Sequence, residues 1–228
     1  NHKMLSCEAL ADTLFMDTFP AWSPDGKFLY FCRAPKLKNL NDIENVRYDL
    51  YRIAFDEDKR SFSRPECIYN ASSKSKSVSF PRLSPCGKFL MFTQSDYGNF
   101  SIWHPESDLI LMDLRSNTFR CMDEVNSDNV DSYHSWSGSG KWFVFSSKRY
   151  DGLWAVPFIS NFNYNNGVAS KPFPLPQKDP MFYKTFMYTF NIPEFSNKII
   201  KQENIIRLVE DDKIPMGLEI VREELCSF

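Results

Sequence analysis

Hydrophobic positions along this chain recur with a period of two. From Phe28 to Arg33, the side chains Phe28, Tyr30 and Cys32 alternate with Leu29, Phe31 and Arg33. Alternate residues of a strand point to opposite faces. Both sets are mainly apolar, which predicts a strand buried on both sides. The segment has two sister copies. The three read Phe19-Pro-Ala-Trp-Ser-Pro-Asp-Gly-Lys-Phe-Leu-Tyr-Phe31, Phe80-Pro-Arg-Leu-Ser-Pro-Cys-Gly-Lys-Phe-Leu-Met-Phe92 and Tyr133-His-Ser-Trp-Ser-Gly-Ser-Gly-Lys-Trp-Phe-Val-Phe145. In each, two short aromatic-rich runs flank a Ser-Pro-Asp-Gly-like turn, where Gly takes the positive φ that closes a hairpin.

Two further strands are expected after each hairpin. They are Asp49–Phe55 and Phe62–Tyr69, Asp108–Leu114 and Thr118–Met122, then Leu153–Ile159 and Ala169–Leu175. Each unit is thus a four-stranded antiparallel meander, and its repetition is the signature of a repeat fold. The spacing between units exceeds the ~40–50 residues of a minimal propeller blade, and the loops Ala34–Tyr48 and Gln94–Ser107 absorb the excess. The fold class is therefore all-β: a β-propeller of four-stranded blades, about three of them in this chain. A closed ring takes at least about four blades, so the three read as part of a larger ring whose other blades lie on a separate chain or fragment.

Residues 1–18 are expected to hold the end of a preceding blade, with a strand near Met4–Leu10; residues 19–195 hold the three blades. After Leu175 the texture changes. Met181–Phe190 is aromatic and is expected to form a short helix packed on the last blade. Residues 196–228 read as a partly helical tail, with an amphipathic stretch over Ser196–Asp211 and a second short apolar run in Lys213–Phe228. Such a tail either caps the array or docks a partner.

The net charge of −2 gives no basic face for phosphate binding, so nucleic acid is not an expected partner. No apolar run approaches the ~20 residues of a membrane span. No signal peptide is visible and the first residue is not Met, so the chain reads as a processed product or a piece of a longer one. The six cysteines form no metal-binding spacing. Cys67 and Cys121 occupy matching outer strands, which diverge in a radial array, so a bond between them is not expected.

The repeat resembles the WD40-like blade called PD40, found in TolB-like propellers. Phe19–Phe31 and Phe80–Phe92 carry the pattern. The third copy, Asp131–Arg149, with Lys171-Pro-Phe-Pro-Leu-Pro-Gln-Lys-Asp-Pro180 and Asn191-Ile-Pro-Glu-Phe195, is similar to the last blade of TolB-like proteins of Bacteroidota cell envelopes. The resemblance implies a ring of six to eight blades, a periplasmic or cell-surface location and a binding role.

Chemistry is sparse. No G-x-S-x-G elbow, H-E-x-x-H or phosphate-cradling loop occurs, and Ser137-Gly-Ser-Gly140 occupies the turn position of every copy. Asp128, Asn129 and Asp131 offer Ca²⁺-type oxygens without an EF-hand spacing. No catalytic residue, metal or cofactor is expected. Trp22 and Trp136 share one repeat position and read as sheet packing, whereas Trp103 beside His104 is the candidate stacking platform. His134 stands where the other copies have Pro20 and Pro81.

Loops entering the first strand and leaving the second share one face of a propeller. That face gathers Asp17, Arg33, Arg82, Asp96, Tyr97, Trp103, Asp131, His134, Lys148, Arg149 and Asp151. The rim reads either as a ligand surface or as solvated loops with internal ion pairs. The leading expectation is a non-catalytic envelope propeller binding a protein or peptide at its rim or channel. The alternatives are a glycan-binding surface propeller and the propeller of a prolyl-oligopeptidase-like peptidase whose catalytic domain lies outside this chain.

Overall fold

A computed structural model describes residue 7 and residues 9–196. Strand β1 (Phe15–Trp22) pairs with β2 (Phe28–Pro35), and β2 with β3 (Asp49–Asp56). Two short strands, β4 (Ser61–Phe62) and β5 (Glu66–Tyr69), both pair with β3. The second sheet runs β6 (Ser77–Leu83), β7 (Phe89–Ser95), β8 (Asp108–Asp113) and β9 (Thr118–Cys121). The third runs β10 (Asp131–Trp136), β11 (Trp142–Ser147) and β12 (Val156–Asn163), closed by β13 (Val168–Ala169) and β14 (Phe173–Pro174). Every pairing is antiparallel, and the three sheets are three consecutive blades of a β-propeller.

The expected outer strands Phe62–Tyr69 and Ala169–Leu175 are each split in two. Pro65 and Pro172 fall in the gaps, and proline has no N–H to give a ladder. The third blade's third strand starts at Val156, because Asp151 Oδ1 accepts the N–H groups of Leu153 and Trp154 and folds 151–154 into a loop. Of the expected strand Met4–Leu10, the described residues Cys7, Ala9 and Leu10 lie outside any strand, with Leu10 N–H donating to Cys7 O at 3.0 Å. The rest of it lies outside the described residues, as do the expected tail elements in 197–228.

The hairpin turn explains the Ser and Gly of each copy. Ser23 Oγ accepts the Phe28 N–H at 2.9 Å, Ser84 Oγ that of Phe89 at 3.1 Å and Ser137 Oγ that of Trp142 at 3.1 Å. Gly26, Gly87 and Gly140 close the turns at φ 71°, 68° and 67°. The Ser137-Gly-Ser-Gly stretch is therefore turn machinery.

A second repeated device lies in the inner strands. Register slips at Thr18/Ala21, Ser79/Arg82 and Ser132/Ser135, and the opening aromatic of each copy takes a left-handed backbone: Phe19 at φ 53°, Phe80 at 52° and Tyr133 at 55°. That conformation costs roughly 1–2 kcal/mol for a residue with a Cβ. The bulge points the three rings at one another, Phe19 to Phe80 at 4.1 Å and Phe80 to Tyr133 at 4.7 Å between centroids. An aromatic pair contributes about 0.5–1.5 kcal/mol beyond its burial, which offsets much of the strain. The row of rings joins the inner edges of successive blades.

Blades one and two bury Tyr30, Cys32, Leu50, Val78, Leu90, Phe92 and Ile110 between them. Blades two and three bury Phe89, Met91, Leu109, Phe143, Phe145, Phe158 and Phe162. After the last blade the expected helix shrinks to one turn, α1 (Phe182–Thr185). It is held to the blade as expected: Tyr183 packs against the second of these clusters, Phe190 N–H donates to Ala155 O, and Ser146 Oγ to Asn191 O.

Candidate functional site

The pairs Asp17↔Arg33, Ser77↔Ser95 and Asp131↔Ser147 mark one end of the three blades. Here the chain enters each first strand and leaves each second. The loops at this end are tied across the blades. Ser77 Oγ accepts the Tyr48 N–H and donates to Gly98 O, while Gly98 N–H donates to Val46 O at 2.9 Å. Ser101 and Ser132 hydroxyls meet at 2.6 Å, and Asp131 N–H donates to Ser107 O. These bonds join the loops of neighbouring blades into one rim.

Most of the charged rim residues are engaged within the rim. Arg33 grips Asp17 through two bonds of 2.7 Å, donates to Ala9 O at 2.8 Å, and lies over the rings of Phe15, Phe31 and Tyr51. The Asp17 hydrogen bonds hold its guanidinium pKa above the ordinary value against the opposing effect of burial. Arg149 repeats the device two residues later in its copy: it donates to Asp131 at 2.7 Å and to Val125 O at 2.8 Å, over Phe145 and Phe158. These two pairs plug the ends of blades one and three. Blade two has Val78 where they have Asp, and no plug.

The remaining expected residues divide. Asp96 pairs with Lys76 at 2.6 Å. Arg82 is 3.6 Å from Glu194, and its carbonyl accepts the Trp136 indole N–H at 3.1 Å. Asp151 serves its own loop. Tyr97 meets His104 edge-on at 4.4 Å, with the Arg47 guanidinium 5.6 Å from its ring. His134 is not on the rim. It is 1% exposed, inside the interface of blades two and three, with Nε2 at 3.0 Å from Met91 O. Burial pushes its pKa down to about 3, so the ring is neutral. The residue follows the left-handed Tyr133, and the bulge turns its side chain inward rather than toward the channel mouth.

Trp103 stands apart. It is 75% exposed. Burying a side chain of its size yields about 25 cal/mol per Å² over 150–250 Å², so leaving three-quarters of it in water forgoes roughly 3–5 kcal/mol. Its loop is nevertheless pinned. The preceding Ser101 is fully buried and accepts the Ser107 hydroxyl at its carbonyl, and Ile102 packs with Val130, Ala155 and Tyr133. Beneath the indole, the Lys148 ammonium lies 4.6 Å from the ring centre.

Three rim groups escaped the sequence reading. His104 Nδ1 lies 2.9 Å from Glu106 Oε1, which also accepts the Asp96 N–H. Arg47 donates to the carbonyls of Glu44 and Val46. Asp108 opens β8 as Asp49 opens β3. Asp49 accepts from the Ser72 N–H and hydroxyl, whereas among the described residues Asp108 accepts only from the Cys121 thiol at 4.0 Å; burial, with Asp131 and Asp123 nearby, pushes its pKa up to about 6. The shared repeat position was the available signal for Asp108, but what differs is the donor.

A cavity of about 290 Å³ opens at this end, lined by Phe15, Arg33, Asn45, Arg47, Tyr51 and Ser72. Among the described residues no three His, Cys, Asp or Glu side chains converge as metal ligands. The Asp131 carboxylate, offered as a Ca²⁺ oxygen, is occupied by Ser127 and by a guanidinium at 2.7 Å, which opposes a cation there. The described cysteines are free, Cys67 and Cys121 included.

No protein-family model matches the sequence, and no curated protein matches it. Solved structures do. TolB from Acinetobacter baumannii is 19% identical with a TM-score of 0.43, over 71% of this chain and 33% of its own. The β-propeller domain of the Trilobed protease from Pyrococcus furiosus is 14% identical with a TM-score of 0.43, over 73% and 45%. An oligogalacturonate lyase from Vibrio parahaemolyticus is 12% identical with a TM-score of 0.49, over 72% and 43%. This chain thus spans a third to a half of the length of these proteins. At such identities the likeness is one of fold, and the propeller assignment stands on the strand order and the repeated blades themselves.

Proposed function

We propose that the chain is part of a non-catalytic propeller that binds a protein or peptide segment at the rim of loops 36–48, 96–107 and 148–155. The observation that carries this reading is Trp103: a pinned loop holds a large aromatic face in water, on a rim most of whose charges are matched internally. Exposed aromatics on rigid supports are enriched where proteins bind partners. The absence of catalysis is part of the proposal. It is supported by His134 being neutral and enclosed, and by Ser137 serving its turn. The envelope location belongs to the proposal too, and rests on the resemblance of the blade sequences to PD40 repeats.

The test is binding of the purified protein to an array of short peptides and, in parallel, to an array of oligosaccharides. Saturable peptide binding that is lost in Trp103→Ala and kept in Trp142→Ala, at the opposite end of its strand, is the expected result. Peptide binding indifferent to Trp103 would overturn the rim assignment. Oligosaccharide binding that depends on Trp103, without peptide binding, would replace this reading with a glycan-binding one.

A further inference from the structure

The repeat supplies its own control for one rim position. Two residues beyond the paired trio Cys32, Thr93 and Ser146 lie Ala34, Ser95 and Lys148. Ala34 is fully buried and Ser95 is 1% exposed, both small side chains closing the end of a blade. Lys148 occupies the same place and is 5% exposed. A long cation thus stands where two sister blades bury a methyl and a hydroxyl.

Its ammonium is unmatched. Arg33, Arg149 and Lys76 each have a carboxylate at 2.6–2.7 Å. For the Lys148 ammonium no ion pair and no side-chain hydrogen bond exists among the described residues, and it lies over the Trp103 ring. The nearby Asp151 carboxylate already accepts two backbone N–H groups of its own loop. The Trp103 indole N–H also lacks an acceptor among the described residues. The stem is buried while the ammonium keeps contact with solvent at the rim, since it is not among the fully enclosed polar atoms without a partner. Partial desolvation without a counter-charge is costly to the charged form and pushes the Lys148 pKa down, with Asp151 opposing. An anion arriving here would remove that cost, and the free face of the indole would take whatever flat or apolar group the anion carries.

Resting on the segment-binding reading above, we propose that Lys148 and Trp103 form a subsite for a carboxylate borne next to a flat apolar group. An acidic side chain and a free chain terminus both present that chemistry. In either case Lys148 supplies the counter-charge and Trp103 the platform.

The experiment uses three short peptides. One ends in phenylalanine with a free carboxylate. The second is the same peptide amidated. The third is amidated, with a glutamate beside an internal phenylalanine. Binding is followed by tryptophan fluorescence, and acetylation of Lys148 by acetic anhydride is followed by mass spectrometry on the unaltered protein. The first or the third peptide is expected to bind and to slow Lys148 acetylation relative to Lys59 and Lys184, and which of the two does so identifies the source of the carboxylate. The neutral peptide is expected to do neither. Lys148→Met, which keeps the length and apolar stem, is expected to weaken the acidic peptide at least about tenfold without lowering the melting temperature of the protein.

Equal binding of neutral and acidic peptides, unchanged affinity in Lys148→Met, or no slowing of acetylation at any reachable peptide concentration would overturn the subsite. Neutral segments that still require Trp103 would then leave the segment-binding reading in place. Conversely, Lys148 protection by small carboxylates such as benzoate, with no peptide bound at all, would support the subsite and sink the segment-binding reading.

Discussion

The two interfaces between blades are built from the same repeat and differ in chemistry. The first, between blades one and two, has a hydrocarbon and aromatic centre, with Phe92, Leu90, Cys32 and Val78 at full burial, and polar bonds from Tyr69 to Gln94 and from Tyr48 to Ser77 beside it. The second has an equally dense aromatic cluster around Phe143 and Phe145, but a polar seam runs beside it. Thr93, Ser101, Ser132 and His134 are buried there, and the Trp136 indole crosses the interface to Arg82 O. Buried polar atoms without a partner also occur in this region, at Ser79 Oγ and His134 Nδ1. An unsatisfied buried group costs about 1–3 kcal/mol. The lesson is that repeat identity sets the geometry of an interface and leaves its response to pH open.

The largest effect tests whether the two aromatic clusters are equivalent. Phe92→Ala and Phe143→Ala each empty a site with no exposed surface, and each should cost about 3–5 kcal/mol in urea unfolding. A loss under about 1 kcal/mol at either residue would mean that its interface is not packed as described.

Acid should then separate the interfaces. The unfolded chain protonates His134 near its ordinary value of 6.5, whereas the folded ring resists until about pH 3. Stability conferred by the neutral ring is therefore lost as pH falls through that window, on the order of a few kcal/mol. His134→Pro restores the residue type that blades one and two hold at this position, in Pro20 and Pro81, and should flatten the slope. An unchanged slope would show that His134 binds its proton equally well in the folded and unfolded chain and is not enclosed as described.

Asp108 gives a smaller effect of opposite sign. Its folded pKa of about 6 lies above the unfolded value of 3.8, so the folded state holds the proton while the unfolded state loses it. Stability falls as pH rises from about 4 to 6, by on the order of 1 kcal/mol once solvent screening of this half-buried group is allowed for. The two slopes oppose one another in that range, so each is read as a difference between variant and parent. Asp108→Asn should remove its part, and denaturant midpoints across pH would reveal a variant that follows the parent throughout.

The smallest effect concerns the rim. Trp103→Ala should change stability by less than about 0.5 kcal/mol, as for other exposed positions, while abolishing rim binding. A large drop in melting temperature would make Trp103 a packing residue.

The same position can also read differently in two blades. Trp136 reaches across the second interface, yet Trp22, its counterpart, is 49% exposed and its ring meets those of Phe55 and Phe62 in its own blade. The repeat pattern predicted sheet packing for both.

From the sequence alone came the number of blades, the hairpins, the turn chemistry and the short helix after the last blade. These are local matters: Gly supplies positive φ, Ser clamps its own turn, and alternating apolar residues need a sheet on each side. The split outer strands were also written locally, in Pro65 and Pro172, but a strand-length apolar run masks them. What only the tertiary structure decided is how charge and burial fall on the rim. Asp17 and Arg33 are sixteen residues apart and Asp131 and Arg149 eighteen; a bulge set by a left-handed tyrosine turned His134 inward; and Lys148 came to rest beneath an indole from the neighbouring blade. Partner, dielectric and exposure are properties of the space between blades, and a linear pattern specifies the blades without specifying what meets across them.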